Sequence, residues 1–419
     1  MNRVWGTIAV VLGCSFVTAG PGPAVAAVAK QPGDFDRSFA SGGRFSIGGD
    51  PDSVALSLQA VTPDGSAIEA GSALSRTPSP HGYPVVLKLT SAGVPDPNFG
   101  TGGRVNVPFD PYPGMAGTAM LVDRRGRILL GIAGGQADPT HYFSGLVRLK
   151  PDGRLDTAFG DQGRAVVDLN AAPAIIRENA DGSFDVVSDS GTKTITIVRF
   201  TNHGVAVSTF GSNGIVTLTP LTQQPFTGFS AADLGDGSTL LFEQAHPVVR
   251  RVLADGSYDP AFGTGGVMQL TTPITPFALD RKGCEVVSKN ASGQPVVQRV
   301  LADGTFDPTF GNAADSITIS NPAATIVAHH GAYFYGFVHR RAGNDFVRFT
   351  ADGQPDAQFG RAGARFLAKP SGAIFYYPER VAFDRLDKIY VQQLAGFGYV
   401  DLIDVLQSDV YRVFGAASA

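Results

Sequence analysis

The sequence predicts an all-β fold: a seven-bladed β-propeller of four-stranded antiparallel blades. Three observations lead there. One short motif recurs seven times, turn-forming residues are spread along the whole chain, and the strands balance only if the two chain ends share a blade. A period near 50 residues in a Gly- and Pro-rich chain is the mark of a repeat architecture.

The motif is clearest in Pro151–Val167, PDGRLDTAFGDQGRAVV. Its Phe recurs as Phe39, Phe99, Phe159, Phe210, Phe262, Phe310 and Phe359, at spacings of 60, 60, 51, 52, 48 and 49 residues. Six places before each Phe stands a Gly, from Gly33 to Gly353, and in four copies an Asp precedes that Gly. Asp-Gly between apolar runs signals a tight turn, because Gly tolerates positive φ. Three places before the Phe stands Asp36, Asp96, Asp156, Asp259, Asp307 or Asp356, and Pro97, Pro260 and Pro308 follow three of these. Gly follows the Phe in six copies. An Asp cap, a Pro at the first position and a Gly exit spell a one-turn helix. The Phe is the one large apolar side chain on that turn, so it is expected to plug the space between neighbouring repeats. Val207 replaces the Asp in the fourth copy, where Ser208 stands in, Ala314 the last Gly in the sixth, and Ala40 the post-Phe Gly in the first. Such drift suits a structural element, since no copy keeps chemistry that the others lose.

Between motifs lie three more strands. After the second motif come GTAMLVD, a turn at Arg124–Gly126, RILLGIAG, a loop and FSGLVRLK; after the fifth come FALD, the turn Arg281–Gly283, CEVVSK and PVVQRVLADG. Regular short strands separated by Gly/Asp turns indicate an all-β array. The motif then joins third to fourth strands. The chain begins with a motif and a fourth strand, Arg44–Ile47, and ends on a third strand, Asp409–Phe414. Closure requires both ends to share the last blade.

The DG-x-x-D-x-x-FG-x-x-G pattern resembles the delta-60 repeat proteins of bacteria. The resemblance runs from about Gly33 to the end of the chain and rests on seven copies. It implies a propeller, and it implies no particular activity.

Residues 1–26 read as an export signal and 27–419 as a single propeller. Arg3 supplies the positive start, Val4–Val17 is apolar, and Ala24-Val25-Ala26 offers a small-x-small cleavage site. A less favoured reading takes Val11-Leu12-Gly13-Cys14 as similar to a bacterial lipobox, with a lipid on Cys14. No later run approaches the length of a membrane-spanning helix. The expected location is therefore extracellular or in the cell envelope. Cleavage after Ala26 would remove Trp5 and Cys14, leaving Cys284 as a lone thiol with apolar flanks, read as buried and inert. Gly 52 and Pro 28 supply turn chemistry, and 43% hydrophobic residues suffice for a core. A net charge of −4 with no long basic run excludes a nucleic-acid footprint.

In a meander blade the repeated motif shares one face with the tight first-to-second-strand turns. The variable loops lie on the other face, where function more often resides. Long loops are expected at Leu74–Pro84, Pro108–Gly117, Gly134–Tyr142 and Lys369–Glu379, in blades that closure makes neighbours. They carry His81, Tyr83, Asp110, Tyr112, Asp138, His141, Tyr142, Phe375, Tyr376 and Tyr377, an expected ligand-binding patch. The competing reading is of solvated loops with each Tyr packed on its own strand. Sequence motifs for a nucleophile elbow, a zinc protease, a P-loop or an EF-hand are not found. His329-His330 with His339 is the densest histidine group, but neighbours on a strand face opposite ways, so strand histidines are expected rather than a metal site. No cofactor, metal or catalytic residue is assigned.

The leading expectation is a secreted, non-catalytic, monomeric propeller that binds a protein or glycan. The alternatives are a hydrolase or lactonase with its site at the channel mouth, and a structural envelope protein. Converging Asp, Glu or His side chains in the channel would favour the enzyme. An apolar channel beside an exposed Tyr-rich rim would favour binding.

Overall fold

A computed structural model describes residues 31–48, 53–75, 81–107, 115–135, 142–166, 172–189, 194–218, 229–234, 236–243, 247–272, 274–279, 283–311, 315–400 and 403–415. Residues 1–26, with Trp5 and Cys14, lie outside this set.

β1 (Arg44–Gly48) comes first in the chain and belongs to the last blade. Blade 1 holds β2 (Ser53–Val61), β3 (Ala67–Ser75), β4 (His81–Leu89) and β5 (Arg104–Asn106). Blade 2 holds β6 (Ala116–Val122), β7 (Ile128–Gly135), β8 (Tyr142–Leu149) and β9 (Arg164–Val166). Blade 3 holds β10 (Ala172–Glu178), β11 (Phe184–Asp189), β12 (Ile195–Phe200) and β13 (Ile215–Leu218). Blade 4 holds β14 (Phe229–Asp233), β15 (Thr239–Glu243), β16 (Val248–Val252) and β17 (Val267–Gln269). Blade 5 holds β18 (Thr275–Leu279), β19 (Gly283–Lys289), β20 (Pro295–Leu301) and β21 (Ser316–Thr318). Blade 6 holds β22 (Thr325–His330), β23 (Tyr333–Arg340), β24 (Gly343–Phe349) and β25 (Ala364–Ala368). Blade 7 holds β26 (Phe375–Phe383), β27 (Lys388–Val400) and β28 (Ile403–Phe414), and β1 completes it. This is the seven-bladed antiparallel propeller that the repeat predicts, closed by the N-terminal strand.

The closing pair runs antiparallel from Arg44 opposite Tyr411 to Gly48 opposite Gln407. Its anchor is Asp409, which is fully buried. Arg44 and Ser46 of β1 both donate to its carboxylate at 2.7 Å, and Gln407 and Tyr376 donate from within the blade at 2.9 and 3.0 Å. A buried carboxylate needs such donors, and here two of the four come from the strand that closes the ring.

The motif fastens each blade to the next. All seven motif Phe residues are buried. Phe159 of blade 2 packs with Leu129 and Leu146 of its own blade and with Phe184, Val186, Val198 and Phe200 of blade 3. The residue after the Phe donates its N–H across six of the seven blade boundaries: Gly100 to Asp152 O, Gly160 to His203 O, Gly211 to Asp255 O, Gly263 to Asp303 O, Gly360 to Pro32 O and Ala40 to Ala92 O, at 2.7–3.0 Å. The seventh boundary, between blades 5 and 6, uses Ser320 N–H to Gly353 O at 3.0 Å instead. This is the copy in which Ala314 replaces Gly. The Asp-Gly turn must approach the neighbouring motif closely. A Cβ on Gly204 would lie 2.9 Å from Gly160 N and from the Phe159 ring, and one on Gly33 would lie 2.4 Å from Gly360 N.

The expected one-turn helix is instead a single hydrogen-bonded turn. The Phe N–H does reach the Asp carbonyl, as in Phe159 to Asp156 at 3.0 Å, and the Asp side chain does cap, as in Ala261 N–H to Asp259 at 2.9 Å. The residue after the Phe then takes positive φ, 54° at Gly160 and 45° even at Ala40, which ends the turn before a helix can propagate.

Capping is half of what the aspartates do. The other carboxylate oxygen takes a cation from the third strand of the same blade: Lys88–Asp96 at 3.0 Å, Arg148–Asp156 at 2.8 Å, Arg251–Asp259 at 3.0 Å, Arg299–Asp307 at 2.9 Å, Arg348–Asp356 and, through closure, Arg412–Asp36 at 2.8 Å. Several of these guanidinium groups lie over the motif ring, 4.4 Å from Phe159, 4.4 Å from Phe310, 4.6 Å from Phe359 and 4.6 Å from Phe39. They also donate to a carbonyl of the next blade, Arg148 to Asn202 O at 2.5 Å and Arg251 to Ala302 O at 3.0 Å. The fourth copy shows the rule by exception. With Val207 in place of Asp, Arg199 turns to Asp185 of β11 at 2.6 Å, yet keeps its place 4.1 Å over Phe210 and its donation to Ala254 O of blade 4.

Replacing Phe159 with Ala opens a cavity between two blades that strands cannot close. Phe159→Ala is expected to cost about 3–5 kcal/mol in equilibrium unfolding. A loss under about 1 kcal/mol would remove the plug role.

Candidate functional site

The face opposite the motif carries the sequence-variable connections, and the structure redistributes the expected patch. Tyr112, Asp138 and His141, with Asp110, lie outside the described residues. His81 and Tyr142 fall at the starts of β4 and β8. The expected loop Leu74–Pro84 is mostly strand, since β3 continues to Ser75 and pairs it with His81. Tyr83 is half-buried in β4 and accepts a hydrogen bond from Arg104 of β5 at 3.1 Å.

Phe375, Tyr376 and Tyr377 are likewise strand residues, at the start of β26. Alternation along a strand then divides them. Tyr376 points inward and is buried. Its hydroxyl donates to Asp409 at 3.0 Å and meets the Tyr411 hydroxyl at 2.8 Å. Burial, then the neighbouring Tyr411 and Asp409, push its phenol upward in pKa. Tyr376 therefore belongs to the ring closure and not to a binding surface. Phe375 and Tyr377 share the other side, stacked with centroids 5.3 Å apart and planes 18° apart. His339 meets the Tyr377 ring edge-on at 6.3 Å. Next to them Ile374 is 68% exposed and Tyr377 55% exposed.

A polar bracket holds this group. Asn344, buried in β24, donates to Tyr376 O at 3.0 Å and to the Gln393 side chain at 3.2 Å, while its own oxygen lies 2.9 Å from His339 Nδ1. Ile374 N–H donates to Gly396 O at 2.6 Å. Gly396 leaves room for the Phe375 ring, because a Cβ there would lie 2.2 Å from it. Sequence reasoning misses His339, Ile374 and Asn344 as members of the group. A signal is present in Gly396, a glycine inside a long strand, which marks close approach by another group.

The three histidines of β22 and β23 separate. His329 Nδ1 contacts Glu285 at 2.7 Å, His330 contacts Asp387 at 2.8 Å and stacks on Phe383 at 4.3 Å, and His339 contacts Asn344. Among the described residues no group of three His, Cys, Asp or Glu side chains could hold a metal. Cys284 is buried.

The inner strands enclose a cavity of about 650 Å³ along the propeller axis. Leu58, Met120, Ile175, Ala232 and Phe277 give its wall apolar side chains, and Gln59 and Arg380 add polar ones. Among the described residues, those lining it include no carboxylate and no histidine. Behind Gln59 lies Glu69, fully buried between blades 1 and 7. Gln59 donates to it at 2.8 Å and Gln392 of β27 donates to its other oxygen. Burial without a cation raises its pKa from the usual 4.5 to about 8, an effect that the two amide donors only temper. Asp36 goes the opposite way: burial works to raise it, but Ser38, Lys388 and Arg412 together hold it at about 2.

No family model matches the chain, and no curated protein matches it. Solved structures do. A catalytically inactive form of virginiamycin B lyase from Staphylococcus aureus, with quinupristin, is similar at 10% identity and a TM-score of 0.49, over 88% of this chain and 98% of that one. YCF48 bound to D1 peptide is similar at 10% identity and a TM-score of 0.44, over 92% and 99%. The β-propeller domain of Myceliophteria thermophila Cps50 (Swd1) is similar at 10% identity and a TM-score of 0.44, over 87% and 99%. At such identities, function has to be read from this chain's own residues.

Glu69 gives stability a pH dependence. Its folded-state pKa exceeds the unfolded value, so its contribution is fully present below about 4.5 and declines as pH rises through about 8. Glu69→Gln keeps the shape and removes the proton. The melting temperature of the variant is expected to fall less than that of the parent between pH 5 and pH 9. Parallel melting curves across that range would show that Glu69 does not titrate there.

Proposed function

We propose that this chain is a secreted, non-catalytic binding propeller, and that it holds a protein or glycan partner on the face opposite the repeated motif. The observation that carries the reading is the Ile374, Phe375 and Tyr377 group. It places exposed apolar and aromatic surface on a rigid inner strand, beside His339 and braced by Asn344. Aromatic side chains that are held in place, next to polar groups, make contact at low entropic cost. Phe and Tyr also stack on sugar rings, so the surface suits either partner. The alternative of a channel-mouth hydrolase requires acid–base groups that converge. The described side chains that line the cavity include no carboxylate or histidine, which favours binding over catalysis.

The repeated motif fits this division of labour. Its residues are consumed in joining blades, consistent with the resemblance to delta-60 repeat proteins as a shared scaffold. The partner surface is left to the residues that do not repeat.

The test is a glycan array and an envelope-protein overlay with residues 27–419, run beside an Ile374→Ser/Tyr377→Ala double variant. Loss of about tenfold or more of the signal, with unchanged melting, is the expected outcome for a partner lost with its contact area. Equal retention by the variant would place the partner elsewhere.

A further inference from the structure

The axial cavity gathers a second group of features, apart from the Ile374–Tyr377 surface. Six of the seven inner strands break register near the same level: between Leu56 and Leu58, Gly117 and Ala119, Pro173 and Ile175, Pro276 and Ala278, Ile326 and Ala328, and Pro378 and Arg380. Each shift is a β-bulge, one extra residue that interrupts the ladder and re-aims the strand. A bulge repeated around the ring at one level is a feature of the channel and not of any single blade. The cavity sits at that level, for its wall includes Leu58, Ala119, Ala174, Ile175, Phe277 and Arg380 from these segments. Its volume of about 650 Å³ falls in the range of small-molecule sites.

Among the described residues the wall has one cation. Arg380 is exposed, and its Nε donates to Ser57 O of blade 1 at 3.1 Å, which fixes the plane of the guanidinium. Among the described residues no carboxylate lies within ion-pair distance of it. Glu69, buried behind Gln59, is not a counter-ion. Its partner Gln392 stands opposite Arg380, but both Glu69 oxygens accept amide donors, from Gln59 and from Gln392, and burial raises its pKa. A guanidinium beside apolar side chains attracts a negative charge and leaves the remaining contact to hydrocarbon. Gln59 adds an amide from the same wall.

We infer that the axial cavity binds a small apolar monocarboxylate, with its carboxylate on Arg380 and its hydrocarbon body against Leu58, Met120, Ile175 and Phe277. One cation suffices for one carboxylate, and the apolar side chains beside it suit a hydrocarbon body. The site is separate from the Ile374–Tyr377 surface, so the two readings stand or fall independently.

Calorimetric titration of residues 27–419 with dodecanoate, and with dodecanol as the neutral analogue, tests this. Dodecanoate is expected to bind more tightly than dodecanol. Arg380→Leu is expected to weaken dodecanoate by about tenfold or more and to leave dodecanol unchanged. Ala232→Trp, which narrows the cavity, is expected to weaken both while Arg380→Lys retains part of the preference. Absence of dodecanoate binding to the parent protein at millimolar concentration overturns the inference. So does equal affinity of the parent and Arg380→Leu for dodecanoate.

Discussion

The structure depends on a buried guanidinium at the boundary between blades. Arg148 shows the arrangement in full: a salt bridge to Asp156 of its own turn, the Phe159 ring beneath it and a carbonyl of the next blade before it. A charge this deeply buried would be costly alone. It is tolerated because its donors are shared out among a carboxylate and a backbone oxygen, and its flat face covers an aromatic ring. That combination requires the planar fork of arginine. Lys88 holds the same position in blade 1 and still neutralises Asp96, as a point charge. A buried ion pair is weak evidence of net stabilisation, but this one joins a turn, a ring and a carbonyl of the next blade and so defines which surfaces meet. Around a ring, definition matters, because an error in the angle between blades accumulates until the ends fail to meet.

They meet in blade 7. There the same parts reappear across the termini: Arg412 pairs with Asp36, and Phe39 lies beneath its guanidinium. Asp409 adds a second set of bonds to Arg44 and Ser46. The closing strand is therefore held by the device that holds most of the other boundaries, supplemented where the chain is not continuous. Closure also covers the faces that the first and last blades of an open stack would expose, while each blade keeps its own short inner and outer edges.

Much of this is legible in the sequence. The Phe spacing yields the blade number, and the surplus of one fourth strand at the start and one three-strand set at the end yields the closure. The basic partner is legible too, though the motif does not draw attention to it. A basic residue stands eight places before Asp96, Asp156, Asp259, Asp307 and Asp356. Reading the aspartates only as caps hides the partner of their second oxygen. The candidate surface is less legible, for a physical reason. Whether Tyr376 or Tyr377 faces solvent depends on where β26 begins, and a shift of one residue exchanges the two. With Lys369–Glu379 taken as an irregular loop, the alternation that buries Tyr376 has no strand to act on. The channel wall is legible only in part: Pro173, Pro276 and Pro378 stand at three of the six register breaks, as a proline inside a strand does at a bulge.

The account rests on the motif acting between blades rather than within one. Hydrogen exchange of the post-Phe amides in an Arg148→Met variant measures that directly. The Gly160 N–H, bonded to His203 O across the boundary of blades 2 and 3, should exchange about tenfold faster or more, while the Gly263 N–H at the boundary of blades 4 and 5 keeps its protection. Unchanged exchange at Gly160, or an equal rise at both amides, would contradict the claim that this arginine fastens one blade to the next.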